Sequence, residues 1–444
     1  MASAAEQLAA NINFSAFSKA TELKSRIWFT LAALVVYRLG TYIPIPGIDA
    51  FALSQAFSRN VGGILGMFDM FSGGALGRMT IFALNIMPYI SASIIVQLLT
   101  AVSPTLEALK KEGEAGRKKL NQYTRFGTVG LAAVQAYGIA VGLQSSGQGI
   151  VGDPGPFFIV STMITLTGGT VFLMWLGEQI TARGVGNGIS LIIFAGIVAN
   201  LPHAIAATLE LGRTGAISTF LIIILLVMAV AVIAFIVFME RAQRRIIVQY
   251  PKRQQGNKMF GGESSHLPLK LNTSGVIPPI FASSLLLLPA TLASFNTANT
   301  PGIIADITGY LAHGRPLYMV LYIALIVFFS FFYTAIVFNP VETADNLRKY
   351  GGFIPGIRPG KNTSDYLDYV LTRLTVIGAA YLSAVCILPE ILVSQYSVPF
   401  YFGGTSLLIV VSVTMDTVAQ IHSHLLAHQY EGLIRKAKLR GRRG

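Results

Sequence analysis

Apolar runs separated by short polar connections fill most of the chain, and ten of them approach the roughly 20 residues that a bilayer-crossing helix needs. The pattern predicts spans at about 27–42, 79–100, 126–144 and 156–177, with a fifth after the glycine-rich Arg183–Ser190 running to about 209. Further spans are predicted at 216–239, from Val276 onward, and at 317–338, 374–393 and 397–415. The sixth is the cleanest, 24 residues without a charge. The second is the odd one. In the stretch Phe71–Thr100, Asn85, Pro88, Ser91 and Ser93 interrupt an otherwise apolar run, and glycines crowd its entrance. Irregular backbone at membrane depth is tolerated only where it is buried in protein or lines a cavity. Residues 61–74, just before it, are apolar but too short to cross. A short apolar piece feeding a broken span predicts a re-entrant helix inside a pore.

Composition supports the pattern. Of 444 residues, 53% are hydrophobic and 12% charged, where a soluble domain carries about 25% charged residues. The expectation is an all-α polytopic membrane protein. Residues 1–26 read as a polar, amphipathic lead without the compact apolar core of a cleavable signal. The single cysteine, Cys386, excludes an intrachain disulfide.

Charge placement changes the meaning of the net +13. With the amino terminus inside, 28 of the 33 Lys and Arg fall on cytoplasmic segments. The external loops hold four, Arg59, Arg78, Arg213 and Arg315, and Arg38 sits within the first span. The positive-inside rule then puts both termini in the cytoplasm, and topology rather than nucleic acid accounts for most of the basic excess. Ten spans divide as five and five. The expected boundaries are a lead at 1–26, one half at 27–209, a second at 210–420 and a basic tail at 421–444. An odd number per half makes any duplication inverted, as in many transport folds, with the interrupted second and seventh spans in corresponding positions.

Candidate chemistry is sparse. Gly147–Gly152 matches a dinucleotide fingerprint by letters, but no strand precedes it. No GxxxxGK[ST], HExxH or GxSxG occurs, and no cofactor or metal site is expected. His422, His424 and His428 follow the last span, where cations near a helix end explain them better than a metal. The Asn272 and Asn362 sequons fall on the cytoplasmic side and should be silent. A proton- or ion-coupled transporter would carry ionisable groups near midplane, and an intramembrane protease a catalytic pair; neither is found. Aliphatic residues occupy the middle of four spans instead: Ile86 and Ile90, Ile189 and Ile193, Ile280, and Ile409. The spacing of four puts each pair on one helix face. Such residues are either ordinary core or lipid-facing positions, or a collar that closes a pore by dewetting. Two loops of about 33 residues, 240–272 and 339–372, are basic with interleaved apolar residues. They serve either retention and lipid headgroup contact or the docking of a cytosolic partner.

Longer stretches resolve these choices. Tyr42–Asp49 (YIPIPGID), MFSGGALGR, IMPYISASII, KKEGE, FLMWLGEQIT, GVGNGISLIIFAGIV, ERAQRRI, KRQQG, HLPLK, VFNPVETADNL, FIPGIRPG and PFYFGGTSLLIV together resemble the SecY/Sec61-alpha family of protein-conducting channels over nearly the whole length. The resemblance implies two five-span halves around an hourglass pore. Ile86, Ile90, Ile189, Ile193, Ile280 and Ile409 would form the constriction ring. The segment 61–74, with Ile64, Leu65, Met67, Phe68, Met70 and Phe71, would be a plug. The second and third spans against the seventh and eighth would form a lateral gate toward membrane lipid. Arg244, Arg245, Lys252, Arg253 and Arg358 would belong to a docking surface for the ribosome and the SecA motor ATPase. SecE-type and SecG-type subunits are the implied membrane partners, and signal-sequence-bearing preproteins the passengers. The implied location is the bacterial plasma membrane. With no nucleotide site, energy would come from outside the chain.

Overall fold

A computed structural model describes residues 21–49, 51–53, 69, 72–145, 149–214, 218–250, 253–255, 258–260, 264–294, 315–396 and 404–440. Helices occupy part of each of the ten apolar stretches. They are α1 (Thr21–Gly40), α2 (Met87–Val102), the short α3 (Pro104–Lys111), α4 (Glu114–Ser145), α5 (Pro156–Arg183), α6 (Gly188–Arg213) and α7 (Thr219–Arg241). After a strand-bearing loop come α8 (Ile277–Ser294), α9 (Pro316–Val337), α10 (Pro340–Lys349), α11 (Lys361–Tyr396) and α12 (Gly404–Arg440). Among the described residues, seven helices are long and apolar enough to cross a membrane: α4 to α7, α9, α11 and α12. The bent pair α2 and α3, turning by 99°, makes an eighth. In lipid a helix satisfies its own backbone, which is why these runs fold this way.

Proline sets several helix starts. Pro104, Pro156, Pro316 and Pro340 each open a helix, where a missing N–H costs nothing and the fixed φ is already helical. Pro88 does the same for α2, so it begins the second span rather than interrupting it. The helix starts at Met87 and not at 79 as the apolar pattern suggests. Thr80 bridges to Pro44, residues 81–86 are turns, and Met79 and Asn85 have φ of 46° and 48°.

The chain forms two compact units, one of 1–203, 288–306 and 413–444, the other of 204–287 and 307–412. In the first, the connection between α1 and α2 folds back as a ribbon. The Ile45 amide donates to the Met79 carbonyl and the Ile81 amide to the Ile43 carbonyl, both at 3.0 Å. Its apolar side chains, among them Ile45, Leu53, Leu76, Met79, Ala83 and Leu84, pack on Ala132 and Ala136 of α4 and Leu166 of α5. Ala132, Ala136 and Ala140 repeat every four residues and are wholly buried, a small-residue stripe that lets helix backbones approach. Gly169 of α5 sits against the Ile81 carbonyl with no room for a side chain. Tyr37, Phe82 and Phe172 stack in sequence, with centroids 6.2 and 5.8 Å apart.

In the second unit the loop after α7 is not helical. Strands β1 (Gln243–Gln249) and β4 (Ser264–Lys270) pair antiparallel, as do β2 (Arg253–Gln255) and β3 (Lys258–Phe260). A bridge from Gln249 to Phe353 ties this hairpin to the loop after α10. Ile246, Leu269 and Ile354 pack on Leu367, Val370, Leu371 and Leu374 of α11, so the two long loops share one core. α11 begins at Lys361, well before the apolar run at 374, because its first turns carry that core. α12 continues as helix to Arg440, through most of the stretch read as a tail.

Candidate functional site

Ile86 is the N-cap of α2, 1% exposed, and its carbonyl accepts from the Ile90 amide at 3.1 Å. The left-handed turn at Asn85 directly precedes it. Ile90, one turn on, is also buried. The broken backbone before α2 thus delivers both side chains on one face of the helix start.

Ile189 and Ile193 lie on the first turns of α6. Asn187 caps that helix, its Oδ1 accepting from the Ile189 amide at 3.1 Å and the Ser190 amide at 3.5 Å. The Gly188 amide donates to Thr181 Oγ1 at 2.9 Å, and Thr181 Oγ1 donates to the Gly177 carbonyl at 2.9 Å. A Cβ on Gly177 would lie 3.1 Å from Ile189 Cγ1, so that glycine makes room for the isoleucine. These four isoleucines belong to the first unit.

Ile280 and Ile409 belong to the second. Ile280 lies in the first turn of α8 and is half-buried, and its carbonyl accepts from Ser283 Oγ at 2.9 Å and Ser284 Oγ at 2.8 Å. Both serines thus satisfy their hydroxyls within the helix, just after its proline-rich start (Pro278, Pro279). Ile409, in the second turn of α12, is 2% exposed.

Among the docking candidates, Arg244 and Arg245 are exposed on β1 and Arg358 is exposed on the turn between α10 and α11. The shared core beneath β1, β4 and α11 brings them onto one folded platform. Arg253 lies on β2, while Lys252 falls outside the described residues, as do Ile64, Leu65, Met67, Phe68, Met70 and Phe71 of the proposed plug. Within that segment Asp69 is described, and its Oδ1 accepts from the Gly77 amide at 2.6 Å. Arg38 Nη1 and Arg78 Nη2 both donate to the Gly73 carbonyl, at 2.8 and 3.1 Å. The intra-span Arg38 is therefore spent on backbone.

Two polar pairs escaped the sequence reading. Arg125 and Glu178 pair between α4 and α5, although Glu178 reads alone as a stray charge near a span end. Asn272 Nδ2 donates to Glu240 Oε1 at 2.7 Å and to the Gly275 carbonyl at 3.0 Å, closing the base of the hairpin. That amide is buried and fully engaged. Among the described residues no group of three His, Cys, Asp or Glu could hold a metal.

The helices define a multi-pass helical membrane protein with a folded strand-bearing platform. Residues 80–418 match the SecY family model. The translocase subunit SecY of Rickettsia conorii is 59% identical over 435 residues, covering 96% of this chain and 99% of that one. The SecY of Escherichia coli is 56% identical over 423 residues, 95% and 96% of the two chains. The chain belongs to the SecY family. Its fold resembles that of a protein-conducting channel at TM-score 0.64 and 19% identity, covering 90% of this chain and 92% of that one. It also resembles Sec61 in the canine ribosome-channel complex at TM-score 0.62 and 18% identity, with the same coverage.

Proposed function

We propose that this chain is the channel-forming subunit of a protein translocase and not an enzyme. It passes unfolded secretory proteins across the bacterial plasma membrane and releases membrane spans sideways into lipid. The observation that carries the reading is Ile86 at the broken start of α2, buried and followed one turn later by Ile90, in a chain of the SecY family. In this reading Ile86, Ile90, Ile189, Ile193, Ile280 and Ile409 form an apolar collar. A passing chain is polar and apolar by turns, and a collar without fixed hydrogen-bonding groups grips neither kind strongly while it limits ion leakage. The 61–74 segment serves as the plug, and the lateral gate lies between the second and third spans and the seventh and eighth.

Both termini face the cytoplasm, as the Lys and Arg distribution supports. The platform carrying Arg244, Arg245 and Arg358 then faces the cytosol, where the ribosome or a SecA-type motor docks on it. The likeness to Sec61 in the canine ribosome-channel complex supports that assignment. SecE-type and SecG-type subunits complete the complex. Photocross-linking from a probe at Ile86 or Ile409 to a secretory chain stalled in transit tests the reading. Adducts that require an engaged signal sequence are expected. No adduct, with transport of a small solute instead, overturns it.

A further inference from the structure

The turn 184–187 joins α5 to α6 immediately before Ile189. Groups at a helix start need outside acceptors for their amides, and Thr181 at the end of α5 and Asn187 of the turn supply them for the first residues of α6. The two amides ahead of the helix are served from elsewhere. The Val185 amide donates to Thr30 Oγ1 of α1 at 3.0 Å, and the Gly186 amide donates to Gln420 Oε1 of α12 at 2.9 Å. These partners stand 155 and 234 residues away in the chain. Thr30 uses its hydroxyl twice, since it also donates to the Arg26 carbonyl at 3.0 Å.

The turn has little freedom between these two grips. Val185 is buried with Leu23 of α1 and Leu425 of α12, flanked by Ile27 and Ile421. Gly184 abuts Thr30 and the Ile180 carbonyl, and Gly188 abuts the Gly177 carbonyl, with no space for a side chain at either. Gly186 has φ of +88°, the region that only glycine enters freely, and Leu191 and Thr417 crowd it.

Apolar contact among Leu23, Val185 and Leu425 already holds the three elements together, but burial is non-directional and allows small slides. The two hydrogen bonds supply what burial lacks, a fixed distance and direction at consecutive amides. We propose that Thr30 and Gln420 are positioning residues for the collar, setting where Ile189 and Ile193 stand by clamping the turn that starts α6 from α1 on one side and α12 on the other. Ile189 follows Gly186 by three residues, and Ile193 lies one turn further along the same rigid helix, so a shift of the turn moves both. A shift of either terminal helix becomes a shift of the collar. The proposal rests on the collar reading above.

Two measurements on the reconstituted translocase complex test it, the resting ion conductance in planar bilayers and amide hydrogen exchange over 185–193. The variants are Gln420→Ala, Thr30→Val, Thr30→Ser and, for the collar itself, Ile193→Ala. Gln420 is exposed, so its truncation leaves packing intact. In Gln420→Ala and Thr30→Val, exchange at the start of α6 should run about tenfold faster, as loss of one hydrogen bond implies. Resting conductance should rise severalfold in both, while Thr30→Ser keeps wild-type values. Wild-type conductance in Gln420→Ala and Thr30→Val while Ile193→Ala leaks overturns the positioning role. Wild-type conductance in Ile193→Ala as well shows that the collar reading has failed, and the positioning role falls with it.

Discussion

Arg125 and Glu178 meet through two parallel bonds, Nε to Oε1 at 2.9 Å and Nη2 to Oε2 at 2.8 Å, joining α4 to α5. Bidentate geometry gives this pair a direction that a lone charge contact lacks. Its side chains are 48% and 33% exposed, so solvent screens much of the attraction. Arg125→Ala should lower stability by about 0.5–1 kcal/mol, the range of well-formed surface pairs. The double exchange Arg125→Glu with Glu178→Arg should recover part of the loss that either exchange alone causes. Thermal unfolding of the detergent-solubilised complex measures both, and equal loss in the single and double exchanges would deny the pair any coupling.

Neighbouring glycines on α5 should respond in opposite ways. Gly168 has open space where a side chain would go, and Gly169 faces the Ile81 carbonyl. Gly168→Ala should be neutral or gain up to about 1 kcal/mol from helix propensity. Gly169→Ala should cost about 1–3 kcal/mol by overpacking and push the ribbon before α2 outward. The midpoint shift between the two variants is the readout.

Asn339 Oδ1 accepts from the Val341 and Glu342 amides at 3.1 and 3.3 Å and caps α10. Asn339→Ala should cost about 1 kcal/mol, and Asn339→Asp almost nothing, since both residues cap well. Amide exchange over 340–349 should quicken in the alanine variant alone.

Removing side-chain bulk from the collar, with Ile86→Ala and Ile409→Ala, should raise ion leakage through the resting channel without abolishing export. Single-channel recording alongside an export assay separates the two effects. Unchanged conductance would count against the ring.

Charge reversal on the platform should weaken docking. Arg244→Glu with Arg358→Glu should weaken binding of ribosomes to the reconstituted complex at least tenfold, and the loss should shrink as salt rises, because exposed charges beyond a Debye length are screened. Unaltered affinity would move the docking surface elsewhere.

The apolar pattern by itself determined that this chain is helical and crosses the membrane repeatedly, because lipid leaves a long apolar run no other way to satisfy its backbone. It also put Ile86 and Ile90 on one helix face, since a period of four is a local property of a helix. Resemblance, not spacing, selected those isoleucines from many others. Tertiary structure decided where the second span starts, because Pro88 reads as a breaker until the left-handed turn at Asn85 shows that a helix begins there. It also decided that the two long loops share a core with α11, that Glu178 has Arg125 as its partner, and that Thr30 and Gln420 grip one turn. Those contacts join residues from 53 to 234 positions apart. Sequence periodicity reports only which face of an element is apolar, and carries no record of which distant side chain will complete a particular amide.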